Sequence, residues 1–184
     1  QDDLLEQFRT GTDVYSAFAS SIYDREINKD DDPTERFVGK TAVLGLGYGM
    51  GWKKFQSTLA LGAAGPVVDV QDEKAWQIVN AYRAKFWRIP HLWSVCSQFL
   101  IDMLSGADNA YSVLRTEKNK IILPNSMCLY YEGLTSTRDG FQFSSGNKTT
   151  YTYGGKITEN VVQALSRIVV TDALLRLSKI ADIK

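Results

Sequence analysis

A chain of 184 residues with 44% apolar content can bury a sizeable core, which excludes a disordered tail and predicts one compact domain or two interlocked subdomains. Lys and Arg number 21 against 21 Asp and Glu, so the gross basic signature of a self-sufficient nucleic-acid-binding domain is excluded and any polyanion contact must be local. With His91 as the single histidine, His-based zinc sites and two-histidine acid–base schemes are excluded as well.

No apolar run approaches the ~20 residues that span a bilayer, and the acidic start QDDLLEQF is unlike a secretory signal, so a soluble, unprocessed, cytoplasmic chain is expected. Cys96 and Cys128 sit in apolar surroundings without CxxC spacing, as reduced core thiols do.

In chain order, residues 2–9 and 13–23 read as short helices, the second capped by Asp13 with Val14, Phe18 and Ile22 at helical spacing. The acidic stretch NKDDDP follows. Asp32-Pro33-Thr34-Glu35 then supplies an N-cap, a proline at the first helical position and an early acid, predicting a helix from Pro33 to about Tyr48. Another helix is expected over 51–61, ahead of a Gly-Ala-Ala-Gly-Pro turn. Residues 71–88 place Ala75, Trp76, Val79, Tyr82 and Phe86 on one face, and Pro90 is expected to break that helix. Over 91–104, Leu92, Trp93, Cys96, Phe99, Leu100 and Met103 share a face that ends at Ser105-Gly106.

From about 112 to 153 the texture changes to β-branched and aromatic runs, KIILP, MCLYY, GFQF and TTYTY, punctuated by Asn, Gly and Ser. A small antiparallel sheet or set of hairpins is expected, closed by Gly154-Gly155. Residues 157–182 then read as one long helix, apolar on nearly every side, which predicts burial on more than one face. The first residues read as starting inside a helix, and the last helix as still running at Lys184.

The helix opened by Pro33 carries the chemistry. Arg36, Lys40, Leu44 and Tyr48 recur every four residues and form one stripe about 18 Å long at ~1.5 Å per residue, comparable to a nucleoside triphosphate. Two cations near a helix start, where free N–H groups already favour anions, would meet phosphates, while Leu44 and Tyr48 would meet sugar and base. Lys40 could also donate a proton to leaving pyrophosphate. Taken alone, an RxxxK is more readily an ordinary solvated helix face. Gly39, Gly45, Gly47, Gly49 and Gly51 favour function, because each costs up to ~1 kcal/mol in a helix relative to alanine. Either something approaches this backbone closely or the segment bends.

Two look-alikes overlap the stripe. VGKTAVLG lacks the first P-loop glycine, since Thr34 stands there, and a proline-capped helix precedes it where a strand should. AVLGLGYGMG resembles the end of a strand entering a dinucleotide-binding turn, but Met50 and Trp52 fall where the third glycine belongs. A dinucleotide-binding oxidoreductase therefore remains a weaker alternative, which a strand over 41–46 would support.

ERFVGKTAVLGLGYGMG resembles motif B of family A, polymerase I-like, DNA polymerases, with phage and prophage members closest. The resemblance implies that Arg36 and Lys40 bind the incoming dNTP, with Lys40 as general acid. It further implies that Tyr48 and the adjoining Gly49 lie at the insertion site beside the template. Leu44 stands where the best-known members carry Phe or Tyr. FRTGTDVYSAFASSIYD resembles the preceding family segment, with Tyr15 in place of a phosphate-contacting histidine. ILPNSMCLYYEGL resembles the palm segment LPSGR, with Asn125, Ser126 and Met127 replacing Ser, Gly and Arg. YGGKITENVVQALSRIVVTDALL resembles the helix leading towards motif C.

The matches cover most of the chain in the family's order. They imply an α+β fragment: a mainly helical fingers-like module over 1–106, then a partial palm over 107–184 with β hairpins and one long helix. On that helix Asn160 and Gln163 share a face and could donate amide N–H groups to the acceptors that every base pair shows in the minor groove; they could equally satisfy internal partners. Arg83, Lys85, Trp87 and Arg88 could meet a template strand, although a solvated face explains them too.

Two-metal phosphoryl transfer needs paired carboxylates. The family supplies them from motifs absent here, so Mg2+ is expected in the parent enzyme with no metal ligand in this chain. Expected partners are primer–template DNA, dNTP and the rest of the polymerase chain. The fragment alone is expected to be inactive. The main alternative is a non-catalytic nucleotide- or nucleic-acid-binding protein that retains the helix.

Overall fold

The computed structural model describes residues 2–62 and 65–180, and these form an α+β fold of seven helices and seven short strands. Parts of two predicted elements, residues 63 and 64 of the glycine-rich turn and 181–182 of the last helix, lie outside the described residues, as do Gln1 and Lys184. The chain divides into two compact units, 1–91 and 92–184, each with its own core.

The first unit holds α1 (Asp2–Thr10), α2 (Val14–Tyr23), α3 (Pro33–Leu46), α4 (Trp52–Leu61), α5 (Asp72–Lys85) and the start of α6 (Arg88–Ser105). Asp13 caps α2 by accepting the Tyr15 backbone N–H at 3.1 Å. Asp32 precedes α3 as predicted but its carboxylate does not cap it. Arg25 at 2.7 Å and the Asn28 backbone N–H at 2.9 Å occupy that carboxylate instead. Proline at the first position still starts the helix, because its fixed φ suits that position and its missing N–H has no intrahelical partner to lose.

Helix α3 stops at Leu46, two residues short of the predicted end. Tyr48 and Gly49 donate to the carbonyls of Gly45 and Leu46, and Gly49 takes φ +85°, a left-handed conformation that turns the chain into α4. The core packs Phe37, Val38, Ala42 and Leu46 of α3 against α2, α4 and α5. The Phe18, Tyr82 and Phe86 rings lie 4.9–5.7 Å apart at its centre.

On α5 the buried positions are Ala75, Ile78, Val79 and Tyr82, whereas Trp76, expected on that face, is 55% exposed. The break after α5 comes at Phe86 and Trp87 rather than at Pro90. Pro90 sits in the first turn of α6, where a missing N–H costs nothing.

The second unit is built on the buried side of α6, where Cys96, Phe99, Leu100 and Met103 start its core. Strands β1 (Asn109–Tyr111), β2 (Leu114–Glu117), β3 (Lys120–Ile122) and β4 (Cys128–Tyr130) form one antiparallel meander. A second is made by β5 (Thr135–Thr137), β6 (Gly140–Ser145) and β7 (Lys148–Thr152). Tyr131 joins the parts: its backbone N–H bonds the Asn119 carbonyl, its ring meets Phe143 of β6 at 5.0 Å, and its hydroxyl accepts from Asn160 of α7 (Gly154–Leu177).

Glycine decides how α7 begins. A Cβ on Gly154 would stand 2.1 Å from the Trp93 carbonyl oxygen, so only glycine lets α7 start this close to α6. The expectation of burial on several faces fails for α7. Its buried residues are Gly154, Gly155, Ile157, Thr158 and Val161, all near the start, and Val169, Val170, Leu174 and Leu175 are exposed. Periodicity can report apolar faces but not whether a neighbour is there to cover them.

Cys96 is a buried free thiol whose pKa is pushed up by that burial, partly offset by the Thr158 hydroxyl; Cys128 is free and half-buried rather than a core thiol. No helix among the described residues is long and apolar enough to cross a membrane.

Candidate nucleotide-binding site

In the first unit α3 packs on α2 across Gly39. A Cβ there would lie 2.3 Å from the Tyr15 carbonyl oxygen and 2.9 Å from the Ala19 side chain, so this glycine is the condition for the helix contact. The close approach sets Arg36 against the N-terminus of α2.

Arg36 donates its Nε–H to Asp13 Oδ2, and its guanidinium carbon lies 5.3 Å from the centre of the Tyr15 ring. Asp13 is itself fixed. Its Oδ1 accepts from Tyr15 N and its Oδ2 from the Ser16 hydroxyl at 2.9 Å. Partial burial works to raise the Asp13 pKa, but the hydrogen bonds from Arg36, Ser16 and Tyr15 N together outweigh it and hold the carboxyl below the usual range. No described residue accepts from the Arg36 Nη atoms.

Lys40, one turn along α3, is half-buried and has no acceptor among the described residues. Leu44 follows at 50% exposure. Tyr48, expected as the fourth member of a helical stripe, is carried by the turn after α3. Tyr82 packs beneath this turn, its hydroxyl 3.3 Å from where a Gly47 Cβ would stand. Burial, and then the neighbouring Tyr48 phenol, raises the Tyr82 pKa.

The fold thus brings Tyr15, Arg36, Lys40 and Leu44 to one side of the α2–α3 pair, with Tyr48 and Gly49 at its far end. Residues 41–46, where the dinucleotide-binding alternative calls for a strand, are helical. Sequence reasoning read Asp13 as a helix cap and missed it as the partner of Arg36. The two are 23 residues apart, so only the packing across Gly39 relates them.

The second unit carries the other sequence-derived candidates. Asn160 and Gln163 line a groove of about 680 Å³ between α7 and the β3–β4 hairpin, with Leu123, Asn125, Ala164 and Arg167. They are held differently. Asn160 donates to the hydroxyl of Tyr131 at 3.1 Å, whereas Gln163 is exposed and donates to Glu159 on its own helix, at 3.2 Å. Burial raises the Tyr131 pKa, and the Asn160 contact lowers it in part. In the hairpin turn Ser126 takes φ +67°, a conformation that favours glycine.

Comparison with known protein families, with curated proteins and with solved structures finds no match to this chain.

Proposed function

We propose that this chain is the nucleotide-binding part of a family A DNA polymerase, with a fingers helix that takes the incoming dNTP and a palm surface that meets the primer–template. The observation that carries this reading is the state of the cations on α3. Arg36 is held by Asp13 and Tyr15 with its Nη edge uncommitted, and Lys40 stands one turn on without a partner, next to an exposed Leu44. The Asp13 and Tyr15 contacts hold Arg36 in place, and Lys40 on the same helix remains available to an anion.

A triphosphate lying along this stripe meets Arg36 and Lys40 with its phosphates, Leu44 with its sugar, and Tyr48 with its base. As the primer 3′-hydroxyl gives its proton to solvent and its oxygen bonds to the α-phosphorus, the bond to pyrophosphate breaks and Lys40 Nζ gives its own proton to the departing oxygen. Gly49 lets the template-side backbone approach, and Asn160 and Gln163 meet the minor groove. The Ser126 turn supports the palm resemblance, because the family carries glycine there and this residue holds a glycine-favouring φ.

The uncovered apolar half of α7 supports a further partner, the rest of the polymerase chain. A bacterial or phage-infected cytoplasm is the compartment this activity implies. In the parent enzyme Mg2+ would supply the Lewis acid for the transfer. Among the described residues no three His, Cys, Asp or Glu side chains gather as a metal-binding group, so these residues do not fit that site and no step here runs through the ion.

A second reading, a non-catalytic nucleotide- or nucleic-acid-binding protein that keeps the same helix, is favoured by the balance of 21 cations against 21 acids.

Equilibrium titration of the chain with a fluorescent dATP tests the binding claim common to both readings. Arg36→Ala and Lys40→Ala are each expected to weaken binding by about tenfold or more, as loss of a charge-assisted hydrogen bond does. Inorganic triphosphate is expected to compete and deoxyadenosine alone to compete poorly. Binding that is absent, or indifferent to both substitutions, overturns the reading. Primer extension after the chain is joined to a palm carrying paired carboxylates separates polymerase from mere binder.

A further inference from the structure

We propose that Asp13 is a positioning residue that aims the Arg36 guanidinium so that only its Nη1–Nη2 edge is offered to a phosphate; this rests on the nucleotide-binding reading above. A guanidinium has five N–H donors and can grip an oxyanion by its Nη1–Nη2 edge or by the edge containing Nε. Asp13 Oδ2 takes the Nε–H, which closes the second edge. The guanidinium carbon lies over the Tyr15 ring, 5.3 Å from its centre.

The carboxylate is not free to follow Arg36 elsewhere. Tyr15 N at 3.1 Å and the Ser16 hydroxyl at 2.9 Å hold both of its oxygens at the start of α2. Gly39 fixes the spacing between the two helices. What remains is one fork with fixed position and direction, and Lys40 lies one turn further along the same helix. An unheld arginine loses its rotamer freedom only on binding, whereas this one has lost it already, so ordering it no longer weakens binding.

The competing account is that Asp13 merely repels the incoming anion. It predicts the opposite sign, which makes the two separable.

The test is Mg–dATP affinity of the full chain by calorimetry. Asp13→Ser keeps a good helix cap but cannot reach Arg36. It is expected to weaken binding by about three- to tenfold, the cost of ordering one long side chain. Asp13→Asn has one acceptor oxygen where Asp13 has two, so it meets the Nε–H only by giving up the Tyr15 N cap and is expected to recover part of that loss. In an Arg36→Ala background, Asp13→Ser is expected to have no further effect. A general structural defect would not give this pattern.

Unchanged or tighter binding by Asp13→Ser, with Arg36→Ala still weakened, overturns the inference and leaves the nucleotide site standing. Failure of the unsubstituted chain to bind, or indifference to Arg36→Ala, overturns both. If Asp13→Ser does not fold, the Arg36 Nε–H resonance of the unsubstituted chain decides. A signal protected from exchange with and without Mg–dATP supports the contact, and loss of that protection in either state contradicts it.

Discussion

Helices α3 and α7 carry the two candidate surfaces and meet their surroundings in opposite ways. Buried residues run most of the length of α3, from Phe37 through Val38 and Ala42 to Leu46, and α2, α4 and α5 all touch it. Its outward side carries Arg36 and Lys40, both half-buried, and the exposed Leu44. Helix α7 is buried only near its start, and Val169, Val170, Leu174 and Leu175 stand in solvent. A narrow charged line on a well-held helix suits a small anionic ligand, while a broad apolar face on a helix held at one end suits another macromolecular surface.

Both helices nevertheless depend on one glycine for their docking, Gly39 on α2 and Gly154 on α6. The largest expected effect therefore comes from filling that space. Gly39→Val places a side chain against the Tyr15 carbonyl and Ala19 and is expected to cost about 3 kcal/mol or more, since backbone must move to relieve it. Gly51→Ser is the control, because nothing lies within 4 Å of a Cβ there and a serine cap is gained. Urea unfolding measures both. A Gly39→Val chain as stable as the unsubstituted one would mean that α2 and α3 do not pack as described.

The one-ended burial of α7 gives the next contrast. Ile157 is fully buried, so Ile157→Ala is expected to lose about 2–5 kcal/mol, while Leu174→Ala, at 59% exposure, is expected to change stability by less than ~0.5 kcal/mol in the monomeric chain. Equal losses at the two positions would show that the outer half is covered after all.

Much of the first unit was legible because its signals are local. The Asp13 cap, the Pro33 start and the Phe18, Val79 and Tyr82 core positions follow from spacing along single helices. Errors arose where a second segment intervened. Asp32 was readable as a cap, but Arg25 and Asn28 take its carboxylate. Trp76 was read onto the apolar face of α5, yet it lies about 100° round the helix from Ala75 and is exposed, while Ile78 is buried with Ala75, Val79 and Tyr82. Pro90 signalled a break, but position within the helix decides what a proline does, and the first turn tolerates it. The Asp13–Arg36 pair left no trace in the sequence because tertiary packing alone makes it. In the second unit the β texture predicted antiparallel hairpins, and each strand does pair with its chain neighbour; the break into two sheets falls between β4 and β5, where the packing of Tyr131 on Phe143 relates them and no local signal marks it.

The smallest expected effect concerns pH. The Asp13 pKa lies below its unfolded value, so its contribution to stability is fully present above the ordinary carboxylate range and is lost as pH falls through the folded value. The stability difference between the unsubstituted chain and Asp13→Ser is therefore expected to be constant near neutrality and to shrink below about pH 4. A difference that grows on acidification would contradict the Arg36 contact.

The central claim is that α3, and not α7, holds a nucleotide. Residue-resolved NMR titration of the chain with Mg–dATP tests it most directly. The account predicts saturable shifts confined to the start of α2 and to residues 36–49, lost in Arg36→Ala; saturable shifts centred on α7, or none anywhere, would contradict it.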